Sequence, residues 1–164
     1  MIGNKFNQNN FKEKSSILFF GFTHCPDVYP ASLQLLTNLV EDLGSDTNKI
    51  NYYFIIIDPQ RDTKEVLKQY LNSFDQKILG VTGKQDEFIK IYNAFDIYVK
   101  KNDLGKEDHT IDYTMSFKII NNNTQKVGTM MHEGFSKLIV IDNFGKIQIP
   151  KNDVVNHLRK FLQL

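Results

Sequence analysis

The segment SSILFFGFTHCPDVYPASLQLLTNLVEDLG, Ser15 to Gly44, changes its hydrophobic period halfway along. Its first part, SSILFFGFT, is a short apolar and aromatic run between polar segments, the pattern of a strand buried on both faces. After Pro30 the apolar residues recur at three and four: Leu33, Leu36, Leu39, Val40 and Leu43. That spacing predicts a helix, and Gly44 is placed to end it. A buried strand feeding an amphipathic helix is the opening unit of an α/β fold.

The unit is followed by more of the same kind. INYYFIII, Ile50 to Ile57, predicts a second buried strand, closed by Asp58-Pro59. Asp62 and Glu65 form a D-x-x-E pair suited to cap a helix that turns Val66, Leu67, Tyr70, Leu71 and Phe74 inward. A third helix is periodic in Phe88, Ile91, Tyr92 and Phe95, and DIYVKK after it reads as extended chain. From Thr114 the pattern becomes one of hairpins. TMSFKII and QKVGTMM flank an Asn-rich turn, and FSKLIVID and GKIQIP flank Asn143-Phe144-Gly145. A last helix places Val154, Val155, Leu158, Phe161 and Leu162 on one face. With no internal repeat and no linker, residues 1–164 are expected to form one α/β domain. The expectation is a mixed central sheet, helices on both faces and a C-terminal hairpin region, with 1–14 loosely structured.

The composition excludes several classes. The chain has 164 residues, 41% hydrophobic and 24% charged, with a net charge of +1. Such a balance gives no electrostatic case for nucleic acid or an anionic membrane as partner. No run approaches the roughly 20 apolar residues of a membrane span, and MIGNKFNQNNFKEK lacks the apolar centre of a secretory signal. A membrane connection is therefore expected only through an anchor absent from this sequence. With one cysteine in the chain, an internal disulfide is excluded.

That cysteine, Cys25, stands between the first strand and the first strong helix. Backbone N–H groups and the positive end of a helix favour a thiolate there. A thiolate in that place can act as nucleophile, redox thiol or soft-metal ligand, whereas a buried cysteine is an inert packing residue. Position alone does not choose between these.

The surrounding motifs resemble those of the Sco/SenC family, thioredoxin-like copper-binding proteins of cytochrome c oxidase assembly. GFTHCPDVYP, Gly21 to Pro30, is similar to the family's G-F-T-x-C-P-x-x-C-P element. IIIDPQRDTKEVLKQYLNSF resembles its D-P-x-R-D-T segment with the helix behind it, and Gly80-Val81-Thr82-Gly83 its G-x-T-G. The resemblance covers about Phe11 to Thr114 and implies a thioredoxin-like fold. It also implies a copper site of two Cys and one His, and a copper chaperone or thiol-redox protein, a metallochaperone more than an enzyme, with thiol oxidoreductase activity left open. The implied partners are a cytochrome c oxidase subunit or another copper chaperone. The implied location is the mitochondrial intermembrane space or the periplasmic face of a bacterial inner membrane.

The chain departs from that pattern where the ligands belong. Tyr29 holds the place of the second Cys, and a phenol is no soft ligand. The family's His lies in a D-H-[ST] element preceded by a Tyr. In DHTIDYT, Asp108 to Thr114, the two are exchanged, so that Tyr113 takes the ligand place and His109 that of the Tyr. An impaired site with weak copper binding is the expectation. Cys25 is its thiolate, and His109 is a second ligand if the register slips. His132 qualifies only if Asp112 to Met131 is an inserted ribbon. His24 is expected to point away from Cys25, and His157 to be a polar residue on a helix face. Asp58 can act behind the ligands, while Met130 and Met131 are soft but suited to core packing. The competing functions are a one-Cys thiol peroxidase or reductase using Cys25 with Thr23, and a non-catalytic interaction protein. The peroxiredoxin P-x-x-x-[TS]-x-x-C arrangement is absent, which weighs against the first.

Overall fold

The computed structural model describes residues 6–24, 28–105, 108–133, 137–142, 145–150 and 153–164. Every residue of Ser15–Gly21, strand β1, is buried. The cause is its central place: it pairs parallel with Ile50–Ile56 (β2) and antiparallel with Phe117–Ile120 (β6). A strand covered at both edges and on both faces has no solvent side, so its sequence need not alternate. Ile78–Val81 (β3) adds a parallel strand outside β2. On the other side come Val127–Glu133 (β7), Lys137–Asp142 (β8) and Gly145–Pro150 (β9), antiparallel in sequence. The order of the seven-stranded sheet is β3-β2-β1-β6-β7-β8-β9. Val99–Gly105 (β4) and Asp108–Tyr113 (β5) form a separate two-stranded ribbon.

Ring contacts show which helix covers which face. Phe19 stacks on Phe54 and Phe117, and Phe54 meets Tyr70 of Lys64–Leu71 (α2). Phe20, the next residue of β1, points to the opposite face and meets Phe95, which caps the C-terminus of Gln85–Ala94 (α3). Val28–Asp42 (α1) and Val154–Leu162 (α4) lie on the Phe19 side. Leu35 and Leu39 share a small gap there with Met130, Val154 and Val155. Arg159 of α4 reaches Asp46 and the Leu43 carbonyl, and Asp46, held also by Lys49, is kept below the usual carboxylate range. The mixed sheet with helices on both faces is therefore as expected.

Three local readings differ from the structure. The helix expected after Pro30 starts at Val28, because proline in a first helical turn removes an N–H that has no partner there anyway. The segment expected to be loose is ordered from Phe6. Asn7 caps a 3-10 turn at Gln8–Phe11, and Phe6 and Phe11 pack edge-on against Tyr53. Asp62 does not cap α2. Thr63 is the cap, accepting from the Val66 N–H at 3.3 Å, and Asp62 is withdrawn into the protein.

The sequence predicts no strand at β3, which has only four residues, or at β5, whose DHTIDYT reads as a ligand motif although His109, Ile111 and Tyr113 alternate with exposed Thr110 and Asp112. Gly80 explains why β3 can approach α2. A Cβ built there would stand 2.7 Å from Leu67 and 2.8 Å from Leu71 side-chain carbons. Leu67 is fully buried and has no room to yield. Gly80→Ala is expected to lower the unfolding free energy by about 1–3 kcal/mol, the usual cost of overpacking. Urea denaturation checks this, and an unchanged midpoint would contradict it.

Candidate functional site

The strands β1 and β2 end together, tied by the Ile57 N–H donating to the Gly21 carbonyl at 2.8 Å. Two chain segments leave that edge. One is Phe22-Thr23-His24, which leads to Cys25; the other is the turn Asp58–Asp62, which leads into α2. The turn is a single helical loop, with the Asp62 N–H donating to the Asp58 carbonyl at 2.9 Å. Such a loop puts residues four apart on one side, and Asp58 and Asp62 are both buried.

The two carboxylates grip different segments. Asp62 is fully buried and accepts from the Thr23 N–H at 2.8 Å and the Thr23 hydroxyl at 2.5 Å. Its Oδ1 also stands 3.2 Å from Nδ1 of His24, a residue half exposed at its side chain. The Thr82 hydroxyl closes the far side by donating to the Asp62 carbonyl at 3.0 Å. Asp58 instead reaches the ribbon. Its Oδ2 lies 2.8 Å from Nε2 of His109 on β5, and both side chains are buried. Arg61 binds the two systems together. It donates through Nε to Asp58 and through a terminal nitrogen to the His109 carbonyl at 3.1 Å, and its guanidinium sits 5.8 Å above the Phe22 ring.

Tyr92 extends the arrangement inward. Its hydroxyl donates to the Ile56 carbonyl at 2.9 Å, and burial, with the charge of Asp58 nearby, pushes the phenol well above its ordinary range. Both carboxylates are engaged by donors from the protein itself. Their role at this edge is to fix two segments in place, which is different from offering a free acid or base.

The sequence-predicted site residues distribute as follows. Cys25 lies outside the described residues, directly after His24. Tyr29 is the second residue of α1. Tyr113 ends β5 and packs against Phe22, ring centroids 6.3 Å apart, three residues before Cys25. His109 is on the same face of β5, four residues earlier, hence about 13 Å back along an extended strand. His132 is on β7 opposite Leu138, and Met131 opposite Ile139. Met130 is buried in the core opposite Phe117, and His157 lies half-buried on α4. Among the described residues, no three His, Cys, Asp or Glu side chains gather as a metal cluster.

Sequence reasoning missed the pairing of Asp58 with His109 and the hold of Asp62 on Thr23. The available signal was the spacing of Asp58, Arg61 and Asp62 directly after a buried strand. It places two acids and a base on one turn at the edge where Cys25 must emerge.

A mixed sheet with a β1-α1-β2 unit, a cysteine segment leaving the end of β1 and an acidic turn leaving β2 defines a thioredoxin-like protein of the Sco type. The family model SCO1/SenC matches residues 2–143, and the chain belongs to that family. The mitochondrial SCO2 protein of Saccharomyces cerevisiae is 39% identical over 125 residues, 72% of this chain and 40% of its own length. The human mitochondrial SCO1 homologue is 36% identical over 107 residues, 63% of this chain and 36% of its own. The chain thus spans about two-fifths of the length of these curated relatives. Among solved structures, copper-bound yeast Sco1 superposes with a TM-score of 0.78 at 26% identity, covering 98% of this chain and 82% of that one. Copper-bound ScoI of Bradyrhizobium japonicum gives 0.74 at 28% identity, covering 94% and 88%.

Proposed function

We propose that this chain handles copper in the assembly of cytochrome c oxidase, through a site with fewer ligands than the family resemblance implies. Copper is the cargo, and Cys25 is the thiolate that meets it. The observation that carries this reading is the edge geometry. The residues before Cys25 are held by Asp62, and the ribbon bearing His109 and Tyr113 is held by Asp58, both on one turn. That geometry supports a reading in which a thiolate and a ribbon side chain meet at this edge.

The ligands themselves are reduced. Tyr29 and Tyr113 stand where the resemblance puts Cys and His, and a protonated phenol is a poor donor for Cu(I). His109 is already engaged through Nε2, so ligation through that atom requires breaking a buried hydrogen bond to Asp58. By the same reading the protein works where its mitochondrial relatives do, or at a bacterial periplasmic membrane face. Its partner is an oxidase subunit or another copper chaperone. No helix among the described residues is long and apolar enough to cross a membrane.

The test is Cu(I) competition against a chelator of known affinity, with the native chain and with Cys25→Ser. Weak binding is expected for the native chain. A further loss of at least about tenfold, or 1.4 kcal/mol, is expected for the variant. Equal affinities would remove Cys25 from the site. Peroxide-dependent turnover of Cys25 would instead favour a thiol peroxidase.

A further inference from the structure

Asp62 stands out among the buried charged groups. It is fully buried, and its carboxylate accepts from a segment 39 residues earlier in the chain. Local capping would have explained an acid at this position, but Thr63 performs that task. Its carboxylate instead takes both donors of Thr23, the backbone N–H and the hydroxyl, and faces the imidazole of His24. Two hydrogen bonds to one residue fix that residue's position and its backbone orientation together. A charged acceptor roughly doubles the strength of each. Thr23 and His24 are the last residues before Cys25, so the clamp holds the chain up to the residue that precedes the cysteine.

We infer that Asp62 is a positioning residue, one that fixes the approach of the Cys25 thiol through Thr23 without itself touching the cargo. The inference deepens the copper reading above. It does not require copper, because the direction of the thiol governs its access to any soft electrophile or cation.

Substitutions separate this role from plain stabilisation. In Asp62→Asn the amide oxygen can still accept from the Thr23 N–H, and the amide nitrogen can donate to the hydroxyl, which also accepts. The clamp survives without its charge. Asp62→Ala removes it, and Thr23→Val removes the hydroxyl bond alone while keeping the shape. Tyr52→Phe is the control for stability. It breaks the buried 2.9 Å bond between Tyr52 and Thr47, at the opposite end of β2.

The experiment measures the rate of Cys25 alkylation by iodoacetamide at one pH, in the folded proteins and in denaturant. It is run well below each protein's melting temperature. Asp62→Ala is expected to move the native rate at least about fivefold toward the denatured rate. Thr23→Val is expected to move it less and in the same direction, while Asp62→Asn and Tyr52→Phe stay within about twofold of the native sequence. Cu(I) affinity, measured in parallel, is expected to fall in the same order. Unchanged alkylation in folded Asp62→Ala would overturn the inference, as would a Tyr52→Phe effect equal to that of Asp62→Ala. Should Asp62→Ala not fold, an unchanged rate in Thr23→Val would overturn it alone. Loss of the copper reading leaves a separate signature: Cys25→Ser binds Cu(I) like the native chain, while the alkylation rates still respond to Asp62.

Discussion

A variant carrying Tyr29→Cys and Tyr113→His is expected to bind Cu(I) at least about 10³-fold more tightly than the native sequence, a gain of about 4 kcal/mol. The argument is one of ligand chemistry on a retained scaffold. Cu(I) prefers thiolate and imidazole. The phenol of tyrosine, with an ordinary pKa of about 10, is protonated at neutral pH and is a hard donor. On the copper reading proposed above, Cys25 alone would hold the ion by one bond, which any competing thiol can displace. A second thiolate four residues on, at the start of α1, turns that bond into a chelate. Tyr113 packs on Phe22, three residues before Cys25, which supports a ribbon side chain reaching the cysteine segment. Each single reversion is expected to recover only part of the gain, because each supplies one of the two missing ligands. Chelator competition measures all four proteins. Tight binding by the native sequence would show that His109, His132 or Met130 has taken over the lost positions. An affinity unchanged in the double variant would show that the geometry itself has been lost.

The fold could be read from the sequence because its strongest signals are local. Buried runs such as Ile17 to Phe20 and Tyr52 to Ile56 have one physical explanation, a central strand covered on both faces. The periods of Leu33, Leu36 and Leu39 and of Phe88 and Tyr92 likewise fix helix and inner face together. Short strands were harder. Ile78–Val81 has only four residues, and its character comes from pairing with β2, a contact between distant segments. The site was legible by residue type and illegible by partnership. Asp62 looked like a helix cap because D-x-x-E is a local pattern, and only the fold reveals a stronger claimant in Thr23. His109 was weighed as a ligand on its motif, yet the partner that engages Nε2 is an acid 51 residues away. Motifs report what a side chain can do, and tertiary contacts decide which of those options is already taken.

The second large effect is expected at that acid. Asp58→Ala should lower the unfolding free energy by about 2–4 kcal/mol, since the buried His109 imidazole and Arg61 each lose a hydrogen bond to a carboxylate. Asp58 and His109 are 4% and 6% exposed at their side chains, so bulk water has poor access to the imidazole left without its partner. Arg61 loses its nearest anion as well, but it is 24% exposed and can turn partly to solvent, which keeps the cost from rising further. For a chain of this size the loss corresponds to a fall in Tm of about 10 °C. Asp58→Asn keeps an acceptor in the same place and is expected to cost less than half as much. Adding His109→Phe to Asp58→Ala should recover part of the stability, because two apolar groups leave no unpaired buried polar atom between them. A double-mutant cycle in urea measures the coupling directly. A coupling energy near zero would show that the ribbon is held by its apolar contacts alone. A value of 1 kcal/mol or more would identify Asp58 and His109 as the joint between β5 and the end of β2, and hence as what keeps Tyr113 beside the Cys25 segment.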